Sequence, residues 1–263
     1  MDEPVRSSGT RDVKSAFRAL EVLELLTREG RALSFAECQR ALAYPKASLH
    51  GLLRTMAGAR WIELDPASKK YELGVRVWEA AVAHTKMFRL ETLARPIMEQ
   101  VRDATTETVQ LAVLDGGEAL YIGKVDGEHI LKLDSSVGQR LTAHATGVGK
   151  VLLASLPEQE LEAWLKTRTL QRFTPNTITD RRKLRSELQL VRRRGFAVDR
   201  EERTLGATCV AVAIHNHLGT CVAAMSVSAP AVRFGAAQRR TALTHLQRAA
   251  SRLSAALGHS ASK

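Results

Sequence analysis

The residues between 46 and 54 are of the kinds that meet a nucleic acid edge-on. Wound as a helix, the segment 46–57 (KASLHGLLRTMA) puts Leu49, Leu52, Leu53 and Met56 on one face at i, i+3, i+4 and i+7. Lys46, Ala47, Ser48, His50, Gly51 and Arg54 fall on the other face, and none of them is acidic. From Cys38 to Ile62 the chain carries Arg40, Lys46, Arg54 and Arg60 without a single carboxylate. A DNA major groove admits a helix whose outward side chains are small or reach base edges and phosphates. The stretch therefore reads as a recognition helix. Ala47, Ser48, His50 and Arg54 are its candidate groove contacts, and Lys46 is a phosphate contact.

Other reactive side chains fall short of a catalytic signature. Gly147-Val-Gly-Lys150 suggests a phosphate loop, but a Walker motif needs glycine in place of His144 and Ser or Thr in place of Val151. GxSxG and HExxH are absent. Cys209, His144 and Asp199 could be drawn as a thiol triad. A small-acid hydrolase using Cys209, with the N-terminal module as an interaction domain, is thus the alternative reading; a DNA-organising protein without an effector is a third. His215 and His217 could touch a metal from a loop but lack a third ligand. Cys38, Cys209 and Cys221 are odd in number and widely spaced, which indicates neither a disulfide framework nor a zinc finger. No cofactor and no metal are expected.

The elements around the recognition helix support its placement. Ser15 is positioned to cap a first helix to about Arg28, with Ala16, Ala19, Leu20, Leu23 and Leu26 as its inner stripe and Gly30 as its stop. Ser34-Phe-Ala-Glu37 is a capping box with Leu33 and Cys38 in the staple positions, opening a short helix to about Leu42. Pro45 fits the first turn of the recognition helix, where its missing N–H costs nothing. Two helices, a tight turn and a slim basic helix make a helix-turn-helix. The segments 61–65 and 71–74 alternate as a β-hairpin with a tip that bears Lys69 and Lys70. Such a wing lays its lysines along phosphates, adding affinity without sequence readout.

Downstream, Val77, Ala80, Ala81 and His84 line one stripe of a linker helix, a natural dimer seam for a protein that reads a palindromic operator. Strands are expected over 108–114, 119–125, 130–133, 196–199, 209–214 and 220–228, and helices over 147–155, 157–166 and 236–257. A basic helix capped by Asp180 should run to Arg194 and close at Gly195. Hairpins with helices to the side give an α+β domain with a mostly antiparallel sheet.

Length and charge set the outer bounds. A chain of 263 residues exceeds the usual single-domain size, so two domains are expected. The net charge is +11, yet residues 1–80 hold 13 Lys and Arg against 11 Asp and Glu. The nucleic-acid reading therefore rests on local pattern and not on the global sum. No apolar run approaches the ~20 residues that span a bilayer, and the N-terminus lacks the apolar core of a signal peptide. A soluble, cytoplasmic protein with no membrane partner is expected.

The motifs AYPKASLH (43–50), YELG (71–74), LARP (93–96), ETVQLA (107–112), HATGVGK (144–150), TITD (177–180) and GFAVDREE (195–202) occur in this order, followed by CVA at 209–211 and the segment 223–230. In that order they resemble the IclR family of bacterial transcriptional regulators over nearly the whole chain. The resemblance implies a winged helix-turn-helix (1–75), a linker helix (76–92) and a GAF-like effector-binding domain (93–263), assembled as homodimers or dimers of dimers. It also implies an effector pocket built by Leu133, Gly147, Val148, Asp199, Ala207, Cys209, Ser226 and Ser228. Glycines opening the helix at 147 offer backbone N–H groups to an anion, and the hydroxyls of Ser226 and Ser228 share one side of a strand. Cys209 is expected within one residue of register from Ser226. Such a cavity suits a small carboxylate, such as a keto acid or an aromatic acid. The chain departs from the family at Gly51, where arginine is more usual, and at Thr142, where proline is.

Overall fold

The computed structural model describes residues 13–83, 85–130 and 135–259, and the chain divides between Phe88 and Arg89 into two units. In the first, α1 (Lys14–Glu29) starts from Val13 with no side-chain cap, so Ser15 does not serve as one. Its buried stripe is Val22, Leu25 and Leu26, while Leu20 is 57% exposed. Apolar residues wrap most of this helix, so periodicity alone could not choose the buried side. Gly30 closes it in the left-handed region (φ 61°), its N–H donating to the Leu26 carbonyl.

After β1 (Leu33–Ser34), the capping box opens α2 (Phe35–Leu42): the Glu37 N–H donates to Ser34 Oγ, and the Ser34 N–H donates to the Glu37 carboxylate. That backbone N–H, with help from Arg31, lowers the Glu37 carboxyl to about 2. Pro45 stands just ahead of α3 (Lys46–Gly58) and not within its first turn. Its extended ψ of 135° turns the chain into the helix, and its carbonyl accepts the Leu49 N–H. Leu49, Leu53 and Met56 are buried with Val22, Leu26, Leu33 and Cys38 in one core, with Leu52 at its margin.

The hairpin of β2 (Ile62–Leu64) and β3 (Lys70–Leu73) follows directly, and β1 pairs with the free edge of β3 to make three strands. A side chain at Gly74 would collide with the backbone of Arg60, so the glycine lets the wing return against the end of α3. Next come α4 (Val75–Ala83) and α5 (Thr85–Thr105), which continues through Pro96.

In the second unit six strands form one antiparallel sheet, ordered β6-β5-β4-β9-β8-β7. They are β4 (Thr108–Asp115), β5 (Glu118–Val125), β6 (Arg140–Leu141), β7 (Phe196–Arg200), β8 (Ala207–His215) and β9 (Cys221–Pro230). One face is covered by α6 (Gly147–Ala154), α7 (Glu158–Thr167) and α8 (Arg181–Arg194), and the other by α9 (Ala236–Ala256). Asp180 caps α8 and Gly195 ends it (φ 76°). The α6 face of the strands is mostly alanine: Ala112, Ala119, Ala197, Ala211 and Ala224. These small side chains let a helix approach so closely that every residue of α6 is buried.

Cys209 pairs with Ser228, and Ala211 with Ser226, which is two residues from the expected register. A bulge between Ile214 and His215 makes the β8–β9 turn asymmetric, and counting from its centre cannot see that shift. β1 and β6, two residues each, were too short to leave a periodic signal. Of the strand expected over 130–133, all but Ile130 lies outside the described residues.

Candidate functional site

The first unit presents α3 and the wing. Lys46, Ala47, Ser48, His50 and Arg54 are all exposed. Arg54 meets no carboxylate among the described residues, whereas Ser48 is already engaged: Arg18 Nη1 of α1 donates to its Oγ at 3.1 Å. The Arg18 guanidinium also lies over the Tyr44 ring, 4.7 Å from its centroid, and the Tyr44 hydroxyl donates to Glu21. Arg18 is thus fixed beside the start of α3, adding a cation that local sequence pattern gave no reason to place there. At Gly51 an added Cβ would meet nothing within 4 Å, so the middle of the helix front is open.

Lys69 and Lys70 are exposed at the hairpin tip. The turn is tied by Asp65, whose carboxylate accepts the N–H groups of Ala67 and Ser68 at 3.0 Å each. Hydrogen bonding from Ser68 and Ala67 lowers its pKa. Lys69 takes a left-handed conformation (φ 57°), the residue at which the chain reverses.

The second unit contains a cavity of about 280 Å³ on the α6 face of the sheet. Asp199, Ala207, Cys209 and Ser228 line it. Gly147, Val148 and Ser226 do not: Val148 is core, and Ser226 is 1% exposed behind Ser228. Leu133 lies outside the described residues.

Gly147 has a packing role. The Cβ it lacks would stand 2.5 Å from Cys209 Sγ, and its N–H donates to that sulfur. The Gly149 N–H is taken by Thr146 Oγ1 at 3.2 Å. Two of the backbone donors expected to face an anion are therefore spent inside the fold.

Residues that the sequence reading missed complete the wall. Gln110 of β4 gathers both serines, since Ser226 Oγ donates to its Oε1 at 3.3 Å and Ser228 Oγ at 2.7 Å, while its Nε2 donates to Ser135 Oγ. Tyr121 enters beside a bulge where Leu111 faces Gly123 but Ala112 faces Tyr121. Arg203 and Thr204 come from the loop between β7 and β8. Only the ETVQLA match pointed at any of these, and it singled out no glutamine.

Beneath the cavity, Lys150 is fully buried, its Nζ donating to the Val198 carbonyl at 2.7 Å and to Glu202 Oε1 at 2.5 Å. Burial pushes the Asp199 carboxyl up to about 7, against the backbone N–H that Glu202 donates to it at 2.7 Å. Burial, with Asp199 beside it, pushes the Cys209 thiol up to about 12. A thiol held protonated at neutral pH is a poor nucleophile. His144, lowered by burial, directs Nε2 to the Gln171 carbonyl at 3.0 Å. The triad drawn from Cys209, His144 and Asp199 is therefore not formed. His215 packs on His259 with ring centroids 5.4 Å apart. Among the described residues no helix is long and apolar enough to cross a membrane.

Known proteins match this arrangement over its length. Residues 15–66 fit the model of the IclR helix-turn-helix domain, and residues 82–255 that of the bacterial transcriptional regulator IclR C-terminal domain. The HTH-type transcriptional regulator XynR of Escherichia coli K12 is 34% identical over 249 residues, 95% of this chain and 99% of its own. The HTH-type transcriptional repressor AllR of the same strain is 31% identical over 231 residues, 88% and 84% of the two chains. The crystal structure of Thermotoga maritima IclR superposes with a TM-score of 0.78 at 31% identity, covering 94% of this chain and all of that one. An IclR homologue from Microbacterium hydrocarbonoxydans, solved in complex with 4-hydroxybenzoate, gives a TM-score of 0.84 at 28% identity, covering 92% and 98%.

Proposed function

The chain belongs to the IclR family of bacterial transcriptional regulators, and from that premise we propose how its two units divide the work. It is a DNA-binding regulator under small-molecule control. In the proposed reading α3 enters the major groove with Ala47, Ser48, His50 and Arg54 at base edges. Lys46, Lys69 and Lys70 lie along phosphates. The observation that carries this is the exposed front of α3, free of carboxylates and open at Gly51.

The effector is a small organic acid bound in the cavity of the sheet unit; the Microbacterium homologue with 4-hydroxybenzoate supports that class. Its binding changes operator affinity through the linker segment 76–92, and by linkage the operator changes effector affinity by the same factor. The working form is a cytoplasmic homodimer or dimer of dimers on a palindromic operator. Trp78 of α4, 64% exposed in the single chain, supports a seam there.

Gel-shift assays test the reading. Arg54→Ala should lower operator affinity about five-fold or more, about 1–3 kcal/mol for a lost base contact, with the oligomer unchanged on a sizing column. Unaltered binding would remove α3 from the groove. Ser226→Ala with Ser228→Ala should leave operator binding in place and abolish its response to effector. A double variant that still responds would put the sensing site elsewhere.

A further inference from the structure

The cavity of the sheet unit contains a cation that meets no carboxylate among the described residues. Arg203 lines it from the loop between β7 and β8, its guanidinium 4.1 Å from the centroid of the Phe173 ring. No carboxylate lies within ion-pair distance of that guanidinium among the described residues, and its Nε is shut from solvent with no hydrogen-bond acceptor. Stacking on Phe173 fixes the plane of the group but satisfies none of its donors.

The other charges nearby are accounted for. Lys150 is neutralised by Glu202. Asp199, the remaining acid on the wall, is held toward its neutral form by burial, and its carboxylate already accepts backbone N–H groups from Glu202 and Arg203. On the far wall the Tyr121 hydroxyl makes no hydrogen bond among the described residues, though the residue is 5% exposed. Among the described residues, a guanidinium without a carboxylate partner and a phenol without a hydrogen bond thus face one half-open cavity of about 280 Å³, a size suited to a compact organic acid.

Resting on the effector reading above, we propose that Arg203 captures the effector's carboxylate by its two-pronged edge and that Tyr121 is the second contact. The sensed compounds are then small monocarboxylates and not neutral metabolites. Arginine suits the task because its planar fork matches a carboxylate bidentately, which a lysine ammonium cannot do.

Thermal-shift and calorimetric titrations of the full-length protein test this with 4-hydroxybenzoate, pyruvate and lactate, each against its amide. At least one acid should stabilise the wild type while its amide does not. Arg203→Gln should weaken that acid at least ten-fold, Arg203→Lys should weaken it less, and Tyr121→Phe should weaken it several-fold. Arg203→Lys keeps the charge over Phe173 and carries the test if the glutamine variant fails to fold.

Equal binding of acid and amide, or an acid bound by Arg203→Gln as by the wild type, would overturn the assignment. If Arg203→Gln binds the acid as the wild type does while Ser226→Ala with Ser228→Ala loses it, the pocket stands and only the arginine's role falls. If no acid binds the wild type, the carboxylate class falls. The effector reading falls with it only if the amides also leave operator binding unchanged.

Discussion

Substituting Gly147 by alanine tests how tightly α6 is laid on the sheet. The added Cβ would stand 2.5 Å from Cys209 Sγ and 3.5 Å from Ala211 Cβ. Carbon–carbon contacts are comfortable at roughly 3.5–4.0 Å, so the first contact is about 1 Å too short and the second just acceptable. The sulfur cannot swing clear without losing the Gly147 N–H, and β8 is held by neighbours on both edges. Overpacking of this kind costs about 1–3 kcal/mol. Gly147 is the first residue of α6, where the interior helix propensity of alanine returns little, so the net loss stays about 1–3 kcal/mol.

Cys209→Ala removes the atom that is struck. The pair should therefore be non-additive, with Gly147→Ala costing at least about 1 kcal/mol less in the Cys209→Ala background. Urea denaturation of the four proteins, followed through the transition of the sheet unit, measures the coupling. Additive effects, or a Gly147→Ala protein as stable as the wild type, would refute the close-approach reasoning.

The Asp199 carboxyl is raised by burial from 3.8 to about 7, so the native state holds a proton that the unfolded chain gives up. That contribution to stability is full below about pH 4 and is lost as pH rises through about 7, to a limit of about 4 kcal/mol. Asp199→Asn should gain on the wild type in melts run from pH 5 to pH 8; parallel profiles would show that the carboxyl titrates normally. Gly51→Ala adds a Cβ with nothing within 4 Å, so it should raise the stability of the first unit by about 1 kcal/mol. A lower melting point would mean that the helix front is more crowded than the structure indicates.

The first unit was the more legible because short-range rules wrote it. The Ser34–Glu37 box, Gly30, and the Leu49–Leu53–Met56 face each act within one or two turns, where spacing along the chain equals spacing in the fold. Of the stripe expected on α1, Leu26 is buried and Ala19 and Leu23 pack against the core, but Ala16 and Leu20 are exposed; apolar residues surround this helix, and only the docked partner chooses a side. The cavity escaped for the opposite reason. Gln110 and Tyr121 come from the β4–β5 hairpin and Arg203 from a loop some eighty residues further on; only Gln110 falls in a quoted motif, and spacing along the chain does not bring the three together. Asp199, Ala207, Cys209 and Ser228 could be carried over by family resemblance, but resemblance could not separate Ser228 on the wall from Ser226 behind it. A bulge beside His215 shifts the register by one residue, and the hairpin closes at His215–Cys221, so that Cys209 faces Ser228; alternation along a strand encodes neither.

The buried tie from Lys150 to Glu202 has a consequence for how such a protein can change its ligand. Residue 202 is moored to the innermost helix, whereas the side chain of residue 203 beside it lies over Phe173 and lines the cavity. The root of the loop is thereby fixed in position while its crown is at liberty to vary. If Arg203 holds the effector as proposed, exchanging that one side chain would retune what is detected without disturbing the sheet, and a new chemical preference would lie one substitution away from an unaltered scaffold.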